Sequence, residues 1–309
     1  MNVPPFSPSA VFTEWGLPPV LFVLIVWATG LYLLGVWRLH ERGDRWPLGR
    51  TLSFVAGGMG AFLFATSSGI AAYDTTLLSV HMVQHMILTM LVPLFCALGA
   101  PVTLALRTLP PRPRRWLLKV VHSRVAKVLT FAPLAFALYV LSPWALYFTG
   151  WYDATLSSNL LHEVMHFHLV LIGALFFTPI LGVDLVPGRV TYPFGMLLLF
   201  LTLPFHAFLG VTIMGQDELI GGTWYPSLHA SMPWLPDPAA DQHLAGGILW
   251  ASGDLIGLVL FGVLFVQWFR ASTQEARRED RRLDRLERLA QSPDSPSPRA
   301  GSGDTPVKR

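Results

Sequence analysis

Only one cysteine, Cys96, occurs in the 309 residues, so an intrachain disulfide and any Cys-x-x-Cys or Cys-x-Cys metal clamp are excluded. Set in an apolar run, it reads as a small core residue. Charge is scarce as well. Charged residues make up 13% against 52% apolar, with a mean hydropathy of +0.49, which leaves too little polar surface to coat a soluble globule of this length. The composition predicts an all-α, polytopic membrane helix bundle. No internal repeat is evident, so the repeat architecture of many transporters finds no support.

A crossing of the hydrocarbon core needs about 20 mostly apolar residues. Seven stretches qualify, at 18–39, 52–71, 78–99, 129–148, 158–180, 191–213 and 245–268. Proline interrupts several of them (Pro93, Pro133, Pro143, Pro179, Pro204) without ending them, as lipid-buried helices allow.

Lys and Arg are missing from 1–17, 72–77, 149–157 and 214–244. They concentrate instead at 38–50, at 107–127, at Arg189 and from Arg270 onward. By the positive-inside rule this pattern puts the N-terminus outside and the C-terminus in the cytoplasm. It also accounts for the pI near 9.2, so no nucleic-acid partner is implied. The first span has no basic residue before it and Arg38 behind it, and is read as a retained span rather than a cleaved leader. The chain then divides into an outside segment (1–17), a seven-helix membrane domain (18–269), a charged cytoplasmic helix (270–290) and a disordered tail (291–309). Residues 270–290 mix seven Arg with five acidic side chains, the composition of a solvated helix.

Histidine is where the chemistry gathers. The third span opens with His81-Met82-Val83-Gln84-His85-Met86 and the fifth carries His162-Glu163-Val164-Met165-His166-Phe167-His168. Each i,i+4 pair shares a helix face at about 6 Å, a spacing at which two imidazoles can share a metal. His168 turns about 160° away from His166. The sixth span adds His206, and the loop entering the seventh adds His243. At about 1.5 Å per residue, His85 lies roughly 10 Å deep, His166 roughly 12 Å and His206 roughly 10 Å, one level of the outer leaflet. Intramembrane ionisable groups are costly and mark ion or metal pathways. Asp254, about 14 Å into the seventh span, can orient an imidazole, cap a helix or carry protons. Met82, Met86 and Met90 form a stripe beside His85, and Met165 shares a face with His162. Thioether with imidazole suits Cu(I), imidazole alone suits Cu(II) or Zn(II), and a methionine stripe also serves as packing.

His162-Glu163-x-x-His166 spells the zincin signature, two histidines on zinc with a glutamate as general base. A third ligand at that depth is needed, and Asp184, 18 residues past His166, lies roughly 27 Å away by helix rise. His85 or His206 would have to substitute. A haem held by paired histidines would need small residues around it, whereas Met, Phe and Leu flank these. A metal or proton transporter also suits intramembrane His and Asp, but requires a polar path through the inner half, where the third, fifth and sixth spans carry almost no ionisable side chain.

The segments HMVQHMILTMLVPLFCALGAPVTLALR (81–107), HEVMHFHLVLIGALFFTPILGVD (162–184), PFHAFLGVTIMG (204–215) and DQHLAGGILWASGDL (241–255) together resemble the caa3-type CtaG family, multi-span cytochrome c oxidase assembly factors of bacteria. The resemblance implies a plasma-membrane protein, not an enzyme, that supports oxidase maturation by handling copper, with oxidase subunits and the lipid bilayer as partners. On the matching positions it implies His81, His85, His162, His166 and His206 as candidate ligands, with Asp254, Glu163, His168, Met82, Met86, Met165 and His243 accessory. Asp254 stands where Glu is expected in many relatives. Copper is then expected to arrive from outside, sit at the level of His85, His166 and His206, and pass laterally to an oxidase subunit; zinc is the other metal the donors suit. The segment 214–244, with Trp224, Tyr225, Pro226, Met232, Pro233 and Trp234, reads as a lid or as an interfacial aromatic belt.

Overall fold

A computed structural model describes residues 4–290. All of its regular structure is helical: α1 (Pro19–Glu41), α2 (Leu48–Tyr73), α3 (Leu78–Thr108), α4 (Pro111–Val121), α5 (Ala132–Tyr147), α6 (Trp151–Ser157), α7 (Asn159–Leu181), α8 (Tyr192–Gly215), α9 (Trp224–Ser231) and α10 (Pro238–Ala290). A short helix, Ala10–Thr13, precedes α1, and another, Arg124–Leu129, lies between α4 and α5. Six are long and apolar enough to cross a membrane, and α5 with α6, bent by 63° at a short break, makes a seventh if the pair is one span. Contacts divide the chain into two units, Met1–Leu264, which holds the packed core, and Phe265–Arg309. The tail expected to be disordered, 291–309, lies outside the described residues.

Two predicted loops are helical instead. Residues 149–157 contain α6, which buries Tyr152 and Leu156, and 107–127 contains α4, which starts with proline in its first turn. α3 also outlasts its predicted end at residue 99. It passes through a left-handed Ala100 (φ 50°) and resumes as Pro101–Thr108. Asp184 makes that restart possible: its carboxylate accepts from the amides of Val102 (2.9 Å) and Thr103 (2.6 Å), capping the new turn. The other end of α3 is capped in the same way, Asp241 of α10 accepting from Leu78 N (2.7 Å) and Ser79 N (3.3 Å).

π-helical turns interrupt α2 at Ser53–Met59 and α3 at Ile87–Leu91. Both fall at close helix crossings. A Cβ on Gly58 would lie 2.7 Å from Cys96 Sγ, which places the lone cysteine in the α2–α3 seam. A Cβ on Gly173 would lie 2.2 Å from the carbonyl oxygen of Thr89 and 2.5 Å from Pro93, so only glycine lets α7 cross the π turn of α3 this tightly. That crossing is two turns along α7 from His166 and sets the site's position.

Candidate metal centre

Asp74 follows directly on the last residue of α2, in the turn that leads to α3, and its side chain is 4% exposed. On α7, Ser158 caps the helix start, accepting from Leu161 N (3.5 Å), and the first two turns present His162 and His166 to that carboxylate. His162 Nε2 lies 2.9 Å and His166 Nε2 3.7 Å from Asp74 Oδ2. These three are the one group of His, Cys, Asp and Glu among the described residues whose ligand atoms all fall within 4.8 Å of one another. A tetrahedral ion with bonds of about 2.0–2.2 Å spaces its ligands about 3.3–3.6 Å apart, so the three groups would draw inward to hold one.

Electrostatics argues in the same direction. A buried carboxylate needs compensating charge, and Asp74's charge partners among the described residues are these two imidazoles, with no Lys or Arg. His162 Nδ1, His166 Nδ1 and His81 Nδ1 are each buried without a hydrogen-bond partner. Orphaned buried nitrogens gathered at one place are groups that a bound ion or water would satisfy.

A ring of oxygens orients the histidines. His166 Nε2 donates to Gln84 Oε1 (2.9 Å), which leaves its Nδ1 as the nitrogen free to ligate, and the amide nitrogen of Gln84 donates in turn to the Ala65 carbonyl (2.9 Å). The Tyr147 hydroxyl bridges His81 Nε2 (3.1 Å) and His85 Nδ1 (2.8 Å), donating to one and accepting from the other. His81 also lies beside the centre, its ring 6.3 Å from that of His162. Above Asp74, Trp224 of α9 donates its indole N–H to the Thr75 carbonyl (2.9 Å), and Tyr225 and Tyr152 share a hydroxyl hydrogen bond (2.6 Å). The 214–244 segment is thus fastened to the turn that carries Asp74.

One side of the triad is open. A cavity of about 400 Å³ reaches it, lined by Pro18, Pro19 and Leu21 at the start of α1 and by Asn159, His162, Glu163 and His166 of α7. A closed structural site surrounds its ion with four protein ligands, whereas three ligands facing a cavity leave a position for exchange.

The other histidines are placed apart from the triad. His206 Nδ1 donates to the Thr202 carbonyl (3.0 Å), and its ring packs on Tyr139 and against Gly253. Asp254 accepts from Trp250 Nε1 (2.8 Å) rather than from an imidazole. His168 pairs with Ser142 (2.6 Å) on the far side of α7, in line with its angular offset. His243 is exposed. Met82, Met86, Met90 and Met165 belong to the packed core. Asp74, Gln84 and Tyr147 are absent from the sequence-derived site. Gln84, within the His81–His85 run, was open to reading as an orienting group, while Asp74 had only its place in a cation-free turn to distinguish it.

The sequence profile described as cytochrome c oxidase caa3 assembly factor (Caa3_CtaG) matches residues 30–271. An uncharacterized protein of Mycobacterium bovis and one of Mycobacterium tuberculosis are each 38% identical over 312 residues, covering 92% of this chain and 47% of the relative. A Mycobacterium leprae protein is 37% identical over 290 residues, covering 91% and 43%. The chain thus spans about half the length of the curated relatives it matches. No solved structure matches. With the profile running from the middle of α1 into α10, and every residue of the triad inside it, the chain belongs to the caa3-type CtaG family of cytochrome c oxidase assembly factors, and is a multi-pass protein of the bacterial inner membrane.

Proposed function

We propose that this chain supports cytochrome c oxidase maturation as a non-catalytic copper-holding factor, the ion bound by Asp74, His162 and His166 on the extracytoplasmic side and released to an oxidase subunit. The observation that carries the reading is the convergence of one carboxylate and two imidazoles on an open cavity. Family membership supports the oxidase as the client. Nitrogen and oxygen donors without sulfur suit a divalent ion, and the Irving–Williams order ranks Cu(II) above Zn(II). The cation-free segments on this side support the outer placement. Of the other histidines that resemblance implies as ligands, His81 and His85 belong to the proposal as neighbours joined through Tyr147, while His206, bonded to the Thr202 carbonyl of its own helix, stands outside the proposed ligand set.

The test is metal titration of the purified chain with Cu(I), Cu(II) and Zn(II), repeated on Asp74→Asn, His162→Ala, His166→Ala and His206→Ala. One Cu(II) bound by the parent and none by the first three variants is expected, with His206→Ala retaining it. Unchanged stoichiometry in all three triad variants would remove the triad from the function. In cells, deletion is expected to lower the copper content of the oxidase.

The triad also supplies the third ligand that the zincin motif lacked when Asp184 was the candidate, and Glu163 lines the same cavity. Glu163→Gln separates the two chemistries. A holding site keeps its metal and its effect on the oxidase, whereas a hydrolase loses peptide cleavage.

A further inference from the structure

A second cavity lies at the opposite, cation-rich end of the bundle. This groove, of about 450 Å³, runs between α1, the Pro101–Thr108 stretch of α3 and α4. Its walls are apolar: Leu31 and Leu34 from α1, Leu104 and Ala105 from α3, Trp116 and Leu117 from α4. The volume is in the range of about 300–1,000 Å³ of small-ligand sites. The groove is held open by polar ties around it. Tyr32 donates to the Gly99 carbonyl (2.8 Å), and the Arg42 guanidinium donates to the Arg107 (3.3 Å) and Thr108 (3.5 Å) carbonyls.

Charge supplies the second observation. Arg38 lines the groove and is exposed, and has neither an ion pair nor a hydrogen bond among the described residues. The neighbouring stretch 107–127 holds seven cations, and no acidic residue occurs between Asp74 and Asp153. One ion pair reaches this stretch among the described residues, Arg107 with Asp44 at 3.4 Å. α4 is amphipathic. Pro113, Trp116 and Leu117 fall on the groove side, Arg112, Arg115 and Lys119 lie alongside by helical spacing, and Trp116 is 67% exposed. A short basic helix with an exposed Trp is built to lie in a bilayer interface.

We propose that this groove binds an anionic glycerophospholipid, one acyl chain lying along Leu31, Leu34, Leu104 and Leu117 and the phosphate resting on Arg38. Basic pockets between helices at a membrane's cationic face select such headgroups. The apolar walls take the chain, and the surplus positive charge takes the phosphate. The site is independent of the metal centre, and its occupancy stands or falls without it.

Native mass spectrometry of the full chain, with phosphatidylglycerol and phosphatidylcholine of identical acyl chains added in turn, reads this directly. Selective retention of phosphatidylglycerol is expected, weakened roughly fivefold in Arg38→Gln, the worth of one interfacial cation. Ala105→Trp, which fills the groove and keeps every charge, is expected to lose the lipid. Arg285→Gln, at a position that does not line the groove, is expected to leave it bound. Equal retention of the two lipids overturns the proposal, and so does a preference that survives both Arg38→Gln and Ala105→Trp. A melting curve of each variant checks the fold, and Arg38→Gln, at an exposed position, carries the decision if Ala105→Trp melts early.

Discussion

A carboxylate as buried as Asp74 with no Lys or Arg in contact is costly, and the cost falls when a cation is bound. Affinity therefore depends on the groups that aim the ligands as well as on the ligands. Gln84→Ala removes the acceptor from His166 Nε2 and is expected to weaken metal binding by about 10–100-fold, measured by competitive titration. Only neutral imidazole ligates, so binding is expected to weaken as acid protonates His162 and His166; binding that persists unchanged down to the pH at which the chain unfolds would argue against histidine ligation. The i,i+4 spacing of His162 and His166 made two of this centre's three residues legible in the sequence. Asp74 was hidden because it sits 88 residues from His162 in a four-residue turn with no motif of its own. Helix rise put His85, His166 and His206 on one level, but rise carries no information on rotation about each axis. The rings of His85 and His206 are committed to Tyr147 and to the Thr202 carbonyl.

At the scale of elements, hydropathy located α1, α7 and α8 to within a few residues, because burial in lipid demands an apolar run, but it missed the end of α3 by nine residues and the start of α10 by seven. Breaks were harder to see. The π turns of α2 and α3 and the restart at Ala100 lie against partners distant in the chain, Cys96, Gly173 and Asp184 in turn. Gly173→Ala tests how far that packing governs the site. Its Cβ would meet the Thr89 oxygen and Pro93, both on α3, so α7 must shift. A destabilisation of about 1–3 kcal/mol is expected, read as a lower melting temperature, together with weaker metal binding because His166 moves with the helix. Gly30→Ala on α1, where a Cβ meets nothing within 4 Å, is the matched control and is expected to change neither.

For the whole molecule, the α5–α6 pair decides the topology. If it turns back without crossing, six spans remain, and with the N-terminus outside the ten Lys and Arg from Arg270 onward fall outside too. That arrangement violates the positive-inside rule, whereas seven crossings put Arg38–Arg50, the 107–127 stretch, Arg189 and the tail on one side together. Seven crossings also put the turn of Asp74 and the 214–244 segment on the other side, where the metal cavity opens. Reporter fusions discriminate the two. Green fluorescent protein after His122 and after Ala290 is expected to fluoresce, and alkaline phosphatase after Ser158 and after Glu218 is expected to be active. Phosphatase activity at Ala290 would mean that the pair does not cross and that the tail faces outward. Fluorescence at Glu218 would instead turn the metal cavity toward the cytoplasm, and copper would then have to reach it from the cytosolic pool.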